Sequence, residues 1–311
     1  MPIRPRARQR LPELKPLVAG LIVSLAVADA SGAPLSARAV DAAGRAPFST
    51  GATRAVTSCA DDGSAGTLRS IVAGAASGDT IDLSQLTCGT ITLVSGQIDV
   101  HVADLTLVGP GRDLLTIDGN DAARVILHDG GGTLTVSALT VAHGRADDAA
   151  GIPDVFAASR GGCILSEDSW ASNGSGTVVL IDAAVDSCTA VHTTGTLSSA
   201  VMGGGVNAAR EVTLTRSIVS NNVAQGLVNE GDPYPGAHAY GGGVSISVSN
   251  YSSLFGGVYC TDSIVSGNRA ITSQDESTTT ERNAAGGGIF SKNRAVIENS
   301  IVANNFAGCE A

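Results

Sequence analysis

The chain has 311 residues, of which 43% are apolar and 15% are charged, and its formal net charge is −10. This size is sufficient for a sizeable hydrophobic core. The negative charge argues against nucleic acid as a partner, because phosphate binding relies on clustered Lys and Arg side chains. Aromatic residues make up only 3% of the chain, whereas glycine occurs 39 times. Few large rings and many small or β-branched residues suit thin, stacked strands.

The first thirty residues have the pattern of a secretory signal peptide. A positive segment from Arg4 to Lys15 precedes an apolar run from Leu17 to Ala28, and Ala28-Asp29-Ala30 offers a small-residue cleavage site. The apolar run is short for a membrane span, and an uncleaved anchor is the alternative. The sequence therefore predicts a signal peptide at 1–30 and a secreted, extracellular or outer-membrane surface protein.

Residues 31–55 are rich in Ala, Arg, Ser, Gly and Pro without periodicity, which predicts a flexible leader. A single domain is then expected over 56–311. Its start contains one helical pattern, at about 67–76, with apolar residues at i, i+3, i+4 and i+7, Thr67 as a candidate N-cap and Gly78 as a stop. We expect this amphipathic helix to cover the open first rung of a stack of strands.

Short strand patterns follow the helix, separated by turn signals such as Gly109-Pro110-Gly111. They predict about two rungs, a rung being one circuit of the chain around the stack. The predicted strands are Thr80–Leu83, Thr90–Leu93, Gln97–Val100, Leu105–Val108, Leu115–Asp118 and Arg124–His128.

From residue 131 to residue 308 the chain repeats one unit five times. The three clearest copies begin with Gly203-Gly204-Gly205, Gly241-Gly242-Gly243 and Gly286-Gly287-Gly288, and each leads to a Ser-Ile-Val segment followed by an asparagine. A repeat of strands with no helix between them buries its apolar face by stacking on its neighbours. The pattern therefore predicts an all-β solenoid of stacked parallel strands.

Equivalent positions of the units are expected to line up along the stack. The pairs Val178 and Leu180, Val212 and Leu214, Val258 and Cys260, and Ala295 and Ile297 are predicted to point inward. Asn222, Asn268 and Asn305 fall at a corner, where we expect an asparagine ladder in which each amide bonds to the next and the residue tolerates left-handed geometry. Val219, Val265 and Val302 are predicted inside, which leaves Ile218, Ile264 and Ile301 as a partly exposed stripe.

Secretion makes the six cysteines eligible for disulfides. In one unit Cys163 replaces the third glycine and Cys188 replaces the corner asparagine, and this double departure predicts a Cys163–Cys188 bridge. Cys59 and Cys88 flank the N-terminal segment and form the second candidate pair. Cys260 is interpreted as a small core residue.

Two sets of segments support a family resemblance. The segments Cys59 to Ile71, Gly78 to Leu83 and Leu105 to Gly111 resemble the N-terminal region of secreted bacterial proteins with a Cys-Ser-Leu-Arg-Glu-Ala signature, keeping Leu68-Arg69 and Ile71. The Gly-Gly-x-Ile/Val pieces are similar to one motif of polymorphic outer-membrane adhesins, whose companion motif here has Val in place of Phe. The resemblance implies a single-stranded right-handed parallel β-helix like that of pectate lyases.

Extra residues collect after each corner asparagine and before the next glycine triplet, so we expect them to form stacked loops on one flank. Aromatic, histidine and acidic side chains make these loops and a second group of insertions the expected binding surface for a protein or glycan. The candidate binding residues are Trp170, His192, Asp232, Tyr234, His238 and Tyr240.

The alternative hypothesis is an enzyme that acts on acidic polysaccharide, because parallel β-helices include polysaccharide lyases and hydrolases. A lyase needs carboxylates for Ca²⁺ and a base, and a hydrolase needs two carboxylates at a defined separation. The candidate catalytic residues under this alternative are Asp147, Asp148, Asp275 and Glu276, with Ca²⁺ as the cofactor. We expect instead a non-catalytic adhesion, binding or structural module without cofactor. No capping element follows the last rung in this sequence, so we expect either a missing C-terminal region associated with the outer membrane or a partner to cover that rung.

Overall fold

The computed structural model describes residues 51–147, 159–167, 175–192, 200–227, 237–246, 256–273 and 282–310. The predicted signal peptide and most of the predicted leader lie outside these residues. Within them, one short helix and twenty-nine strands are present.

The strands fall into two series along the chain. The first series contains β1 (Thr53–Ala55), β2 (Asp79–Asp82), β3 (Thr90–Thr92), β4 (Ile98–Val100), β5 (Leu105–Val108), β6 (Thr116–Asp118), β7 (Ile126–His128), β8 (Thr133–Ser137), β9 (Thr140–Ala142) and β10 (Arg145–Asp147). The second contains β11 (Ile164–Ser166), β12 (Thr177–Ile181), β13 (Ala184–Asp186), β14 (Thr189–His192), β15 (Ala200–Met202), β16 (Val206–Ala208), β17 (Glu211–Thr215), β18 (Ile218–Ser220), β19 (Val223–Gly226), β20 (Ala237–Tyr240), β21 (Val244–Ile246), β22 (Gly257–Thr261), β23 (Ile264–Ser266), β24 (Arg269–Ser273), β25 (Arg282–Ala285), β26 (Ile289–Phe290), β27 (Arg294–Glu298), β28 (Ile301–Ala303) and β29 (Phe306–Glu310).

All of these strands pair in parallel within five sheets. Sheet 1 has the order β1-β2-β5-β8-β12-β17-β22-β27, sheet 2 has β3-β6-β9-β13-β18-β23-β28, and sheet 3 has β4-β7-β11-β16-β21-β26. Sheet 4 has the order β10-β14-β19-β24-β29 and sheet 5 has β15-β20-β25. Each inner strand pairs with its equivalent one rung earlier and one rung later, and each edge strand pairs with one of them, so the predicted all-β stack of parallel strands is confirmed.

The core lies between sheets 1, 2 and 3. Alternation along each strand turns every second side chain inward, and in sheet 1 this buries the predicted pairs Val178 and Leu180, and Val212 and Leu214, completely. The last rung differs from the prediction, because no described residue packs over it and Ile297 is 47% exposed.

The Ser-Ile-Val segments also behave as predicted in the inner rungs. Val219 and Val265 are fully buried, whereas Ile264 is 36% exposed and Ile301 is 57% exposed. Val302 is the exception, with 42% exposure, because it too belongs to the last rung. An isoleucine stripe therefore runs along the outer face of sheet 2.

Helix α1 spans Leu68–Ala73 and ends at Gly74, earlier than the predicted stop. The Thr67 side chain accepts a hydrogen bond from the amide of Ser70, which satisfies one of the amides left without a partner at a helix start. Its apolar side buries Leu68 and Val72 in the same cluster as the first rungs.

The predicted leader reaches too far along the chain. Residues Thr53–Ala55 form β1, which pairs with β2 at the edge of sheet 1. The side chain of Asp79 holds this strand, since its carboxylate accepts hydrogen bonds from the amide of Ala52 at 2.7 Å and from Arg54. The ordered domain thus begins before residue 56.

Sheets 4 and 5, together called the side sheets, correct the prediction that the insertions are loops, because the described ends of the insertions are strands. In three successive rungs the stretch after the corner is a strand of sheet 4 (β14, β19 or β24), and the stretch before the glycine triplet is a strand of sheet 5 (β15, β20 or β25). Between them lies a small separate core of six buried residues. Its members are Ala146, Ala190, Val201, Ala224, Ala239 and Ala270. Alanine side chains let two sheets approach closely, so these three insertions each add a thin two-layer extension to their rung.

Candidate binding surface on the side sheets

Glycine triplets make the corners where sheet 5 meets sheet 3. The first glycine of each triplet has left-handed backbone geometry, with φ of 66° at Gly203 and 65° at Gly241. A Cβ on Gly203 would lie 2.3 Å from the carbonyl oxygen of Val206, so a side chain there would collide with the backbone. Glycine is therefore required to reverse the chain from the side sheets into the main stack.

The third glycine of each triplet makes room for the corner asparagine. A Cβ on Gly205 would lie 2.9 Å from the Asn222 side chain, and a Cβ on Gly243 would lie 2.9 Å from that of Asn268. The two motifs of the repeat, a glycine triplet and an asparagine about twenty residues later, are thus two halves of one contact.

Asn222, Asn268 and Asn305 lie in file along the stack. The Nδ2 and backbone N of Asn222 donate to Oδ1 of Asn268, at 2.9 and 3.0 Å, and Asn268 donates to Oδ1 of Asn305 in the same way, at 3.0 Å from each nitrogen. Asn222 and Asn268 are completely buried. Left-handed backbone geometry was predicted for the ladder asparagine. The structure places it at the preceding residue instead, with φ of 57° at Asn221 and 69° at Gly267.

A disulfide replaces the asparagine contact in the rung below. Cys163 and Cys188 are bonded, with their Cα atoms 5.5 Å apart, and both side chains are fully buried. The backbone amide of Cys188 still donates to Oδ1 of Asn222, at 2.9 Å, so the ladder ends on the disulfide. The predicted Cys59–Cys88 bridge is present as well, with a Cα separation of 6.4 Å.

A serine ladder at the corner between sheets 1 and 2 was missed by the sequence analysis. The amide of Ser217 donates to Oγ of Ser263 at 3.1 Å, and the amide of Ser263 donates to Oγ of Ser300 at 2.9 Å. The signal was available, because a serine precedes each Ile-Val pair in the three clearest repeat units.

The outer face of sheet 5 collects the described aromatic and histidine candidates. Ala239 faces the alanine core, so its neighbours His238 and Tyr240 point the opposite way. The Tyr240 ring stacks on that of Phe290 with 4.6 Å between centroids, and Asn283 lies next to His238 at 3.4 Å between Nδ2 and Nδ1. Burial raises the pKa of the Tyr240 hydroxyl. These four residues form what we call the aromatic strip.

Two further candidates lie elsewhere on the side sheets. His192 is only 6% exposed and lies on the same side of β14 as Ala190, toward the alanine core, so it does not join the aromatic strip. Asp147 accepts a hydrogen bond from Nη2 of Arg145 at 2.8 Å. The remaining candidates lie outside the described residues, namely Asp148, Trp170, Asp232, Tyr234, Asp275 and Glu276.

The described residues contain no group of three or more His, Cys, Asp or Glu side chains that could hold a metal ion. The strongest buried charges belong to the first rungs. Burial alone would raise the pKa of Asp61, but hydrogen bonds from Arg69 and from the Ser95 and Val94 amides lower it below its usual value. Arg124 is 4% exposed and donates to the carbonyl oxygens of Arg160 and Gly161, and burial lowers its pKa to about 10. Asp61 and Arg124 thus bind their own chain and are not arranged to receive a ligand.

Among the residues described, none of the helical structure is long and apolar enough to cross a membrane. Comparison of the chain with protein-family models, with curated proteins and with solved structures gives no match.

Proposed function

We propose that this chain is a secreted or cell-surface right-handed parallel β-helix, with α1 covering its first rung, that acts as an adhesion or binding module through the side sheets. The two disulfides support an oxidising, extracellular setting, because such bonds persist there and are rare in the cytosol. Both bridges join segments about one rung apart, at separations of 29 and 25 residues.

The side sheets are the observation that carries this proposal. The rungs from β2 to β9 close through three sheets alone, with side chains such as Ile91 and Ile117 fully buried. The extra strands of the later rungs are therefore not needed to enclose the main core. Segments inserted on one flank of a repeat protein are where binding surfaces are usually built.

The chemistry of the aromatic strip suits a protein or glycan surface. Tyr and His combine an apolar ring with a polar tip, and such residues are enriched where one side of a contact is dry and the other is wet. Asn283 is exposed and adds an amide that both donates and accepts hydrogen bonds. The strip contains no Asp, Glu, Lys or Arg residue.

The test is a binding screen of the purified chain on arrayed glycans and extracellular surface proteins. The double variant His238→Ala/Tyr240→Ala removes the strip, and Ile264→Ala, on the outer face of sheet 2, is the matched control. We expect the double variant to weaken binding at least about tenfold, a change of about 1.4 kcal/mol, and the control to bind like the original chain.

Equal binding by all three proteins would contradict the proposal. Release of unsaturated or reducing-end products from acidic polysaccharides, abolished by Asp147→Asn, would replace it with the lyase or hydrolase alternative.

A further inference from the structure

The last described rung of the main stack, formed by β26, β27 and β28, leaves its apolar side chains open to solvent. Ile297 is 47% exposed although its neighbour one rung earlier, Cys260, is 1% exposed. Val302 is 42% exposed although its neighbour Val265 is fully buried. The charged residues of β27 alternate with the inward ones and lie at the rim. We call this rung, together with its corners, the open end.

Backbone amides at the corners of the stack donate toward the next rung. Between sheets 1 and 2 the amide of Asp262 donates to the carbonyl oxygen of Glu298, at 3.1 Å. In the serine and asparagine ladders, the amides of Ser263 and Asn268 donate to side-chain oxygens of the following rung. The amide of Gly241, in a glycine triplet, donates in the same direction at 3.0 Å. All of these bonds run from the rung with lower residue numbers to the rung with higher ones.

The open end presents the same corner amides with no acceptor beyond them. Among the residues that the structure describes, none accepts a hydrogen bond from the backbone amides of Gly286, Gly287, Gly288, Asn299, Ser300 and Asn305. An amide that is buried without an acceptor is unfavourable. A partner that covers the apolar side chains of the open end must therefore bring hydrogen-bond acceptors to its corners.

We propose that the open end binds another polypeptide, which adds one more rung of the same kind. An extended segment of this partner pairs in parallel with β27 and β28, and its inward apolar side chains cover Ile297 and Val302. A serine and an asparagine at its corners accept from the amides of Ser300 and Asn305, as those two residues accept from the rung before them. Addition of a strand to an exposed edge gains main-chain hydrogen bonds, and the side chains give specificity.

A second copy of this chain does not supply these acceptors. Two open ends in contact both offer amide donors at their corners, so neither satisfies the other. The opposite end of the stack is not free either, because α1 packs against β4, the first strand of sheet 3. A second copy could place its first rung on the open end only after it displaced this helix. The partner is therefore a different polypeptide.

The probe that tests the inference is a synthetic peptide with the sequence of residues 294–307. It carries the inward side chains, the serine and the asparagine of one rung at their native spacing. Two variant peptides accompany it. Asn305→Ala removes the ladder oxygen, and Glu298→Ala changes a residue at the rim. Titration calorimetry measures binding to the purified chain, and hydrogen exchange identifies the amides of the chain that become protected.

We expect the peptide to bind and to protect the amides of Ser300 and Asn305 in the chain. The Asn305→Ala peptide should bind about tenfold more weakly, because the amides facing its ladder position lose their acceptor. The Glu298→Ala peptide should stay within about twofold of the original, since an exposed charge at the rim contributes little.

Two variants of the chain locate the binding surface. Ile297→Lys places a charge on the inward face of the open end and should weaken binding of the peptide at least about tenfold, because the charge would be buried. Ile301→Lys makes the same change on the outer face of the same rung, where Ile301 is 57% exposed, and should leave binding within about twofold. Circular dichroism of both variants verifies that the fold is retained.

Four results would overturn the inference. They are no binding of the peptide, equal binding of the two variant peptides, equal loss in the two lysine variants, and self-association of the chain that Ile297→Lys prevents. The last result would assign the open end to a second copy. The inference does not depend on the aromatic strip, so the His238→Ala/Tyr240→Ala variant should bind the peptide like the original chain. This comparison separates failure of the inference from failure of the proposed function.

Discussion

The rungs from β2 to β9 and the rungs from β12 to β29 share the same three main sheets but are stabilised differently. The early rungs use individual contacts, such as the Asp61–Arg69 ion pair, the Cys59–Cys88 bridge and the His143–Asp118 pair, and each occurs once. The later rungs use asparagine and serine ladders, in which the same bond recurs from rung to rung. A ladder requires the same residue at the same corner in successive rungs, whereas individual contacts do not. The sequence repeat is therefore clearest where ladders hold the corners.

The largest effect is expected from breaking the asparagine ladder in its middle. Asn268→Ala removes the Oδ1 that accepts hydrogen bonds from two nitrogens of Asn222, and the Nδ2 that donates to the carbonyl oxygen of Val219. All three hydrogen bonds are buried. Unsatisfied buried groups cost about 1 to 3 kcal/mol each, so the free energy of unfolding should fall by about 4 kcal/mol. Denaturant unfolding followed by circular dichroism measures this change.

Asn305→Ala is the matched control, because Asn305 is only half-buried and lies on the last described rung of the ladder. Its effect should be clearly smaller than that of Asn268→Ala. Equal losses for the two variants would mean that burial of the ladder is not the source of its stability.

The next largest effect is expected in the early rungs. Arg69 donates to both carboxylate oxygens of Asp61, at 2.8 and 3.0 Å, and to the carbonyl oxygens of Gly96 and Gln97, at 2.6 Å each. Asp61 is 5% exposed. Arg69→Ala leaves this carboxylate buried without its cation, which should reduce the free energy of unfolding by about 3 kcal/mol.

Arg216 provides the comparison for that variant, since it makes the same two-fold contact with Asp182, at 2.8 Å for each bond, but at the surface. Exposed ion pairs contribute little because water screens them. Arg216→Ala should therefore shift the unfolding midpoint much less than Arg69→Ala, and a shift of the same size would contradict the role assigned to burial.

How far the sequence predicts this molecule follows from the same contrast. The stacking of parallel strands, the inward Val and Leu columns and the Cys163–Cys188 bridge were predictable, because each follows from positions that repeat or from a paired departure from the repeat. The side sheets were not predicted as strands. Their strands, such as Ala200–Met202 and Arg282–Ala285, are short and have no alternation of large apolar and polar residues, because their core is built of alanine.

The candidate site was predicted only in part for a related reason. His238 and Tyr240 share one face because β20 is a strand, and strand alternation could not be applied to a segment taken as a loop. The same alternation turns His192 inward on β14. Phe290 and Asn283 were not singled out, since their proximity to Tyr240 and His238 depends on pairing between rungs.

A third prediction addresses the alanine core, which the early rungs lack. Ala224 is fully buried between sheets 4 and 5. Ala224→Leu adds volume that the closely spaced side sheets cannot accommodate, at a cost of about 2 kcal/mol. Hydrogen exchange should accelerate in β19 and β20 while β17 stays protected. Uniform acceleration in all three strands would show that the side sheets and the main stack unfold together.

The Cys163–Cys188 rung lies at the boundary between the two regions and offers a fourth prediction. Cys163→Gly/Cys188→Asn restores the glycine and asparagine of the later rungs. The backbone amide at position 188 already donates to Oδ1 of Asn222, and the Nδ2 of the new asparagine can add a second hydrogen bond to the same oxygen. This variant should be about 1 kcal/mol more stable than Cys163→Ala/Cys188→Ala, the value of one net hydrogen bond. Identical unfolding midpoints would mean that the asparagine contact does not transfer to this rung.

The smallest expected effect is on the pH dependence of stability, which should differ in sign between a buried and an exposed histidine of the early rungs. His128 is completely buried, with Nδ1 2.8 Å from Oγ of Ser166 and Nε2 3.0 Å from the carbonyl oxygen of Val102, an arrangement that suits the neutral ring. Burial lowers the pKa of His128, whereas the hydrogen bond to Asp118 raises the pKa of His143.

Below a pH of about 6.5, where unfolded histidine takes up a proton, the unfolded chain binds more protons than the native chain at position 128, so stability falls as the pH decreases. At His143 the change in stability with pH has the opposite sign, because the native His143–Asp118 pair binds its proton more tightly than the unfolded chain does. This stabilisation is present below about pH 6.5 and is lost as the pH rises through the raised pKa. In unfolding curves between about pH 7 and 5, His128→Gln should flatten the loss of stability and His143→Gln should steepen it. A steeper loss in His128→Gln would mean that the ring is charged in the native fold, in which case the carbonyl oxygens and Ser166 around it must stabilise a cation.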